Sequence, residues 1–110
     1  MPERYKILGQ LAATANATAN LYTVPSSTNT VVSTIIITNR NNAANITYRI
    51  AVQPGGATLA NDYFIAYDST VVSLDSVALS LGLTLGVGDV LSVNTANANV
   101  TFSAFGVEIT

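Results

Sequence analysis

Apolar and polar residues alternate along much of this chain, and this alternation limits its fold more than any other feature. In the stretch LSLGLTL, leucine occupies every second position from Leu79 to Leu85. This spacing would scatter the leucines around a helix, whereas in an extended strand it places them on one side. The pattern therefore predicts a β-strand, and Gly86 and Gly88 predict the turn that ends it.

Comparable stretches recur from one end of the chain to the other. Proline, glycine, asparagine and aspartate separate them, as in proteins built from many short strands. The predicted strands are Tyr5 to Leu8, Asn20 to Val24, Val31 to Asn39, Ile46 to Val52, Tyr63 to Tyr67, Val71 to Leu74, Leu79 to Leu85, Val90 to Val93 and Val100 to Ile109. A set of about eight short strands at this spacing predicts an all-β fold, an antiparallel β-sandwich of jelly-roll type.

The third of these strands is apolar on both sides. Val31, Ile35 and Ile37 lie at odd positions, which predicts one side facing the core. Val32 and Ile36 make the opposite side partly apolar. Both faces of this strand are therefore expected to be covered.

The apolar positions of the last strand change parity along its length. Val100 and Phe102 share one parity, and the apolar residues from Phe105 onward share the other. An extra residue in one strand of a pair produces such a change. We therefore predict a β-bulge between Ala104 and Gly106.

The stretch NRNNAAN, residues 39 to 45, separates two of the predicted strands. Asparagine tolerates positive φ and bonds to its own backbone, so this stretch predicts a loop. Arg40 stands at its start. It is either a solvated loop charge or a contact to a carboxylate or to carbonyl groups of a neighbouring subunit.

The composition removes most catalytic and metal chemistry. The 110 residues include no histidine and no cysteine, which excludes Ser-His-Asp and Cys-His catalysis, imidazole and thiolate metal sites, and disulfides. The aspartates Asp62, Asp68, Asp75 and Asp89 each lie beside a turn, outside any calcium-loop pattern. We therefore predict no catalytic residue, no metal, no cofactor and no enzymatic activity.

Charge is scarce throughout the chain. Charged residues make up 9% of the sequence against 49% hydrophobic ones, and the formal net charge is −2. This leaves too few cations for a nucleic-acid interface. The apolar runs are too short for a membrane helix, and MPERYKILGQ lacks the apolar region of a secretory signal. Low surface charge favours association, so we expect self-association, as a trimer.

A single domain, residues 1–110, is predicted from the length. Its first 20 residues comprise an N-terminal strand and the connector AATANATAN, which could tether that strand as a docking arm. The predicted docking residues are Glu3, Arg4, Tyr5, Lys6, Ile7 and Leu8. A strand of this kind can add to an exposed sheet edge of another subunit. The alternative is that it forms the edge strand of its own domain.

The aromatic residues leave a second class of function open. Tyr48, Tyr63, Tyr67, Phe102 and Phe105 lie in strand patterns, where core packing is the common role. The positions of Tyr5 and Tyr22 are less determined. If several of these rings lay exposed on one face, they could form a platform for carbohydrate.

Several stretches together resemble small structural proteins of tailed bacteriophages, notably phages of cyanobacteria. They are YKILGQ, LYTVPSSTNTVVSTIIITNR, YRIAV, YFIAYD, LSLGLTLGVGDVLSV and FSAFGVEI, and they cover almost the whole chain. Thr38 stands where some such sequences have cysteine. The resemblance implies a non-enzymatic β-sandwich that is assembled in the host cytoplasm into the virion, in contact with the major capsid protein or with tail proteins.

Two locations in the virion are compatible with this resemblance. We favour capsid decoration over a tail, baseplate or fibre component, because the chain is one domain without a fibrous repeat. A carbohydrate-binding adhesin domain is the alternative from another class, because sandwich folds host many lectins.

Overall fold

Two four-stranded antiparallel sheets make up the structure, a computed structural model that describes residues 2–110. The strands are β1 (Glu3–Ala12), β2 (Ala19–Thr23), β3 (Asn29–Asn39), β4 (Ile46–Gln53), β5 (Phe64–Val71), β6 (Ser76–Leu85), β7 (Val90–Thr95) and β8 (Val100–Ile109). Short 3-10 turns at Pro54–Gly56 and Asn61–Tyr63 lie between β4 and β5. The predicted all-β sandwich is confirmed.

The strand order is that of a jelly roll. Sheet A has the order β1-β8-β3-β6, and sheet B has the order β2-β7-β4-β5. Most connections therefore cross from one sheet to the other, and chain neighbours rarely pair. Eight strands arranged in two such sheets define the jelly-roll form of the sandwich.

The core lies between the two sheets and is built from β-branched and aromatic side chains. The largest fully buried apolar residues are Phe102, Ile35, Ile37, Ile50, Leu91, Val32, Val71 and Val100. The rings of Tyr48 and Phe102 meet edge to face, with centroids 6.5 Å apart. Tyr48 belongs to sheet B and Phe102 to sheet A, so this pair joins the layers in a favourable aromatic geometry.

The bulge predicted in the last strand is wrong, because the extra residues lie in its two neighbours. Buried residues keep one parity along β8 from Val100 to Glu108. Opposite Phe105, the pairing is interrupted by Leu8 of β1 and by Ser33 of β3. The parity change in the sequence instead marks apolar side chains on the outer face of sheet A.

The bulge at Ser33 also corrects the side assignment in β3. Val32 is fully buried together with Ile35 and Ile37, whereas Val31 lies on the outer face and is half-buried. Because one extra residue reverses the parity, the regular alternation read from the sequence holds only beyond the bulge.

Two other predictions from the sequence are wrong, one because of a bulge in β6 and the other because of a turn after β5. Leu81 does not line the inner side of its strand, because residues 81 and 82 of β6 lie opposite the single residue Ser33 of β3, and it is 40% exposed. Val71 to Leu74 is not a strand of its own. Val71 ends β5, and Leu74 lies in a turn with a φ of 58°.

The loop predicted between β3 and β4 is present and is organised by Asn39. This side chain is 1% exposed, and its Nδ2 donates to the carbonyl oxygens of Ala44 at 3.0 Å and Val71 at 3.1 Å. Its Oδ1 accepts a bond from the Asn41 backbone N at 2.9 Å. One buried amide therefore satisfies three backbone groups, as a buried polar side chain must.

Candidate functional site

The outer face of sheet A carries a group of apolar side chains on three of its four strands, whereas the outer side of β6 is rich in Ser and Thr. The strand register places Tyr5 beside Val107 and Val31 in one row, and Ile7 beside Phe105 in the next. The apolar side chains on this side, hereafter the sheet A face, are Tyr5, Ile7, Val31, Ile36, Phe105, Val107 and Ile109. They come from three adjacent strands and form one surface.

An open groove of about 440 Å³ crosses the sheet A face between β1 and β8. Tyr5 and Ile7 line it and are 82% and 53% exposed, respectively. Phe105 and Val107 also line the groove. Large contiguous apolar patches on a protein surface mark sites of interaction.

The outer face of sheet B is polar by contrast. Arg49 Nε donates to Asp68 Oδ1 at 2.7 Å, and Nη2 donates to Oδ2 at 3.2 Å. This contact lowers the pKa of the Asp68 carboxyl from its usual value. The guanidinium group also lies 4.0 Å above the ring of Tyr67, whose edge meets Phe64. The sandwich therefore presents apolar side chains on the outer side of sheet A, and an ion pair beside an exposed aromatic ring on the outer side of sheet B.

Opposite charges lie at the two ends of the sheet A face. Glu3 is exposed and pairs with Ile109 at one end of the sheet. Arg40 is exposed at the other end, where its Nε donates to Thr101 Oγ1 at 2.9 Å and its Nη2 donates to the Ala98 carbonyl at 3.2 Å. The predicted subunit contact of Arg40 stays a prediction, and its side chain is anchored over this end of the sheet.

The predicted docking residues all lie in β1, which is an edge strand of sheet A and pairs with β8. Glu3, Tyr5 and Ile7 lie on the outer side, and Leu8 packs against the core. Arg4 and Lys6 lie on the inner side. Within the described residues the segment is thus part of its own sheet, and Met1 lies outside them. The docking role stays a prediction.

The connector that follows β1 is held to the body of the domain. The backbone N of Ala13 donates to the Val100 carbonyl at 2.8 Å, and that of Asn16 donates to the Thr95 carbonyl at 2.8 Å. These bonds attach it to β8 and β7. The connector is therefore bonded to the body of the domain, and β1 has a fixed position in the sandwich.

A buried polar network fixes the inner side of β1. Tyr22 Oη donates to Glu108 Oε2 at 2.6 Å, and Thr30 Oγ1 lies 2.8 Å from the same hydroxyl. Lys6 Nζ donates to Glu108 Oε1 at 3.2 Å. Four strands from both sheets meet in this network. Tyr22 and Glu108 are 86 positions apart, and no pattern in the sequence links them.

The network perturbs the ionisation of both acidic groups. Burial, followed by the bond to Glu108, raises the pKa of Tyr22 to about 12. The bond from Tyr22 lowers the pKa of Glu108 below its ordinary 4.5, and Lys6 adds to this effect. Glu108 therefore stabilises the fold above pH 4.5, and this contribution is lost as the pH falls through its lowered folded pKa.

Replacing Tyr22 with phenylalanine should lower the free energy of unfolding by about 2 kcal/mol at pH 7, because a bond to a buried carboxylate is lost. The loss should shrink at acid pH, as the pH falls through the lowered pKa of Glu108 and the carboxylate is protonated. Urea unfolding at pH 7 and at acid pH measures this loss in the free energy of unfolding. Tyr5→Phe removes an exposed hydroxyl and is the matched control, with an effect under about 0.5 kcal/mol. An equal loss at both pH values would contradict this role of Glu108.

The aromatic side chains divide between the core and both outer faces. Tyr48, Phe102 and Tyr22 are buried, whereas Tyr67 is 55% exposed. Tyr5 and Phe105 belong to the sheet A face, on the opposite side of the sandwich from Tyr67. The exposed rings therefore do not share a face.

Within residues 2–110, no group of three or more carboxylates is arranged to hold a metal ion. The same part of the chain has no helix of the length and apolar character that crossing a membrane requires.

Solved structures with some likeness to this chain include two crystal structures of a pentameric capsid protein isolated from metagenomic phage sequences. The first is 23% identical, with a TM-score of 0.40, and the match covers 96% of this chain and 63% of that one. The second, solved by iodide SAD phasing, is 22% identical, with a TM-score of 0.31 and coverage of 96% and 64%. This chain thus spans less than two thirds of the length of those capsid proteins.

A scan of protein-family models finds no match to this chain. A search of curated proteins finds no match either.

Proposed function

We propose that this chain is a non-enzymatic structural protein of a tailed-phage virion, and that it decorates the capsid. The observation that carries the proposal is the sheet A face. Tyr5 and Ile7 are the most exposed of its side chains. A surface of this kind is stabilised when other protein covers it, as happens to every copy in a symmetric assembly.

The sequence resemblance to structural proteins of tailed phages supports the virion as the place where this face is covered. The scarcity of charge supports it further, since only 9% of the residues are charged and low surface charge promotes association. A jelly roll alone does not decide the question, because both viral capsid proteins and lectins use it.

β1 is the proposed docking element toward other virion proteins. It is an edge strand of sheet A, so its outer edge can receive a strand from a partner. Among the predicted docking residues, Arg4 and Lys6 would fix the register of that pairing through their charges. The sequence predicts a trimer, and this number of copies is untested; the two-fold pair proposed below is the competing arrangement, and the mass in solution decides between them.

A second candidate function is a carbohydrate-binding adhesin domain. The exposed ring of Tyr67 on sheet B favours it, because sugars stack on aromatic faces. Against it, the Arg49 guanidinium lies 4.0 Å above that ring, and Phe64 meets its edge. A glycan array with the purified protein decides this point. Binding that is lost in Tyr67→Ala and kept in Tyr5→Ala would support the adhesin.

Gold-labelled antibody against this chain, applied to intact particles of the phage that encodes it, tests the proposed function. We expect label over the capsid, because decoration proteins lie on the outside of the shell. Label confined to the tail would replace decoration with the tail, baseplate or fibre role. Particles without this chain, as judged by protein composition, would contradict a virion role altogether.

A further inference from the structure

We propose that the sheet A face is covered by the same face of a second copy of this chain, related by a two-fold axis that crosses the strands near Phe105. The inference rests on the proposed function in one respect, that this face is buried in the assembled state. It adds the partner and the geometry of the contact. Three features of the face support a second copy.

The first feature is its size. The sheet A face lies on three strands, and the outer side of sheet A continues from it onto the Ser- and Thr-rich outer side of β6. These four strands, spaced about 4.8 Å apart and each about ten residues long at about 3.3 Å per residue, present a surface of about 19 by 33 Å. Two such faces would bury about 1,250 Å² in total, which reaches the range of about 1,200–2,000 Å² found in stable interfaces. The face of one copy is therefore large enough to hold another.

The second feature is the distribution of charge. Glu3 lies at one end of the sheet A face and Arg40 at the other. A two-fold axis across the strands reverses the second copy end to end, so that each Glu3 comes over the Arg40 of the other copy. The same operation forms this pair twice, as an isologous interface requires.

The third feature is the position of the groove relative to these charges. Ile109, beside Glu3, and Thr101, beneath Arg40, lie at opposite ends of β8, and Phe105 is midway between them. An axis that matches the charges therefore passes over Phe105 and Ile7. It brings Ile7 and Phe105 of the two copies together at the centre of the interface, with charges at the rim.

Pairing of β1 with its own copy at the sheet edge is less favourable. Arg4 and Lys6 lie on the same side of this strand. In an antiparallel pair of two β1 strands, opposed residues lie on the same side, so these like charges would face each other. Repulsion between these charges thus disfavours pairing of two β1 edges. No such repulsion opposes contact between two sheet A faces.

The mass of the purified protein in solution tests the pairing. Light scattering coupled to size exclusion should give twice the mass of one chain for the native protein. Ile7→Glu should be a folded monomer, with a dissociation constant raised about 100-fold or more, because the two new carboxylates meet near the axis. Val87→Glu is the matched control, because Val87 is 55% exposed against 53% for Ile7 and lies in a turn away from the face. It should remain dimeric.

Charge exchange tests the orientation of the two copies. Arg40→Glu should weaken the dimer by about tenfold, because it faces Glu3 of the second copy at both ends. The double variant Glu3→Arg with Arg40→Glu should restore the affinity to within about threefold, because the pairs are re-formed with exchanged signs. A loss caused merely by breaking the Arg40 bonds to Thr101 and Ala98 would not be restored.

Several outcomes would overturn this inference. A native monomer at about 100 µM, a trimer, or a dimer that Ile7→Glu leaves intact would each do so. A dimer that weakens with Arg40→Glu and is not rescued by Glu3→Arg would overturn the two-fold arrangement. A monomer in solution would leave the particle-labelling result standing, and failed labelling would leave the dimer standing, so the two failures are distinguishable.

Discussion

Replacing Asn39 with aspartate is expected to lower the free energy of unfolding by about 3–5 kcal/mol at neutral pH, the cost of an uncompensated buried charge. The Asn39 amide nitrogen donates to the carbonyl oxygens of Ala44 and Val71, and the side chain is 1% exposed. A carboxylate would turn a negative oxygen toward these carbonyl groups. The loss is a large part of the roughly 5–15 kcal/mol that stabilises a domain of this size.

Asn41→Asp is the matched control for this substitution, because it makes the same change in the same loop. The Asn41 side chain accepts a bond from the Ala43 backbone N through Oδ1, and a carboxylate accepts equally well. Its effect should stay within about 0.5 kcal/mol. The Asn39→Asp protein should also regain stability on acidification, since burial raises the pKa of the new carboxyl. Urea unfolding measures both variants, and equal free energies of unfolding would contradict the role of Asn39.

Replacing Gly106 with alanine is expected to cost about 3 kcal/mol, the upper end of the range for overpacking. A methyl group on Gly106 would collide with the carbonyl oxygen of Val31, and it would lie 3.0 Å from the Val32 Cα and 3.1 Å from Leu8 Cδ1. The first two obstacles are backbone atoms of β3. They cannot rotate away as a side chain can, so the pairing of β8 with β3 would have to shift.

Gly86→Ala provides the comparison for this variant. A methyl group there would meet Asp89 Oδ2 at 3.8 Å, an ordinary contact. Its effect on stability should therefore be under about 1 kcal/mol in either direction. Thermal unfolding of both variants measures the difference. If Gly106→Ala were as stable as Gly86→Ala, β3 and β8 would not approach as closely as described.

The strands could be predicted because period-2 spacing and turn residues act locally. Ile46 to Val52 and Val90 to Val93 correspond to β4 and β7 almost to the residue, and the asparagine-rich loop lies where it was expected. Each of these features depends on neighbours in sequence. Hydrophobic spacing and the backbone preferences of Asn and Gly are sufficient to place them.

The wrong assignments of strand sides share one cause, because the position of a bulge depends on the partner strand. Ser33 is extra because of how β3 lies against β8, and nothing in its own neighbours signals this. The parity change after Phe102 predicts a bulge in β8, whereas in the structure it marks apolar side chains on the outer side of sheet A. A strand that is apolar on both sides does not say which side is the core.

The candidate site was predictable in part. The N-terminal segment stood out because its charges precede Ile7 and Leu8, and Arg40 stood out as a lone cation in an asparagine-rich loop. That β1 and β8 together form an apolar groove follows from pairing across about a hundred positions. The link from Tyr22 to Glu108 likewise requires both sheets to be in place.

The central claim is that this chain is a virion structural protein whose sheet A face is buried by other protein in the particle. A cryo-EM reconstruction of the intact phage tests it most directly. We expect copies of the sandwich on the capsid shell, with Tyr5, Ile7 and Phe105 covered by protein density. A particle without this chain, or copies whose sheet A face is open to solvent, would contradict it.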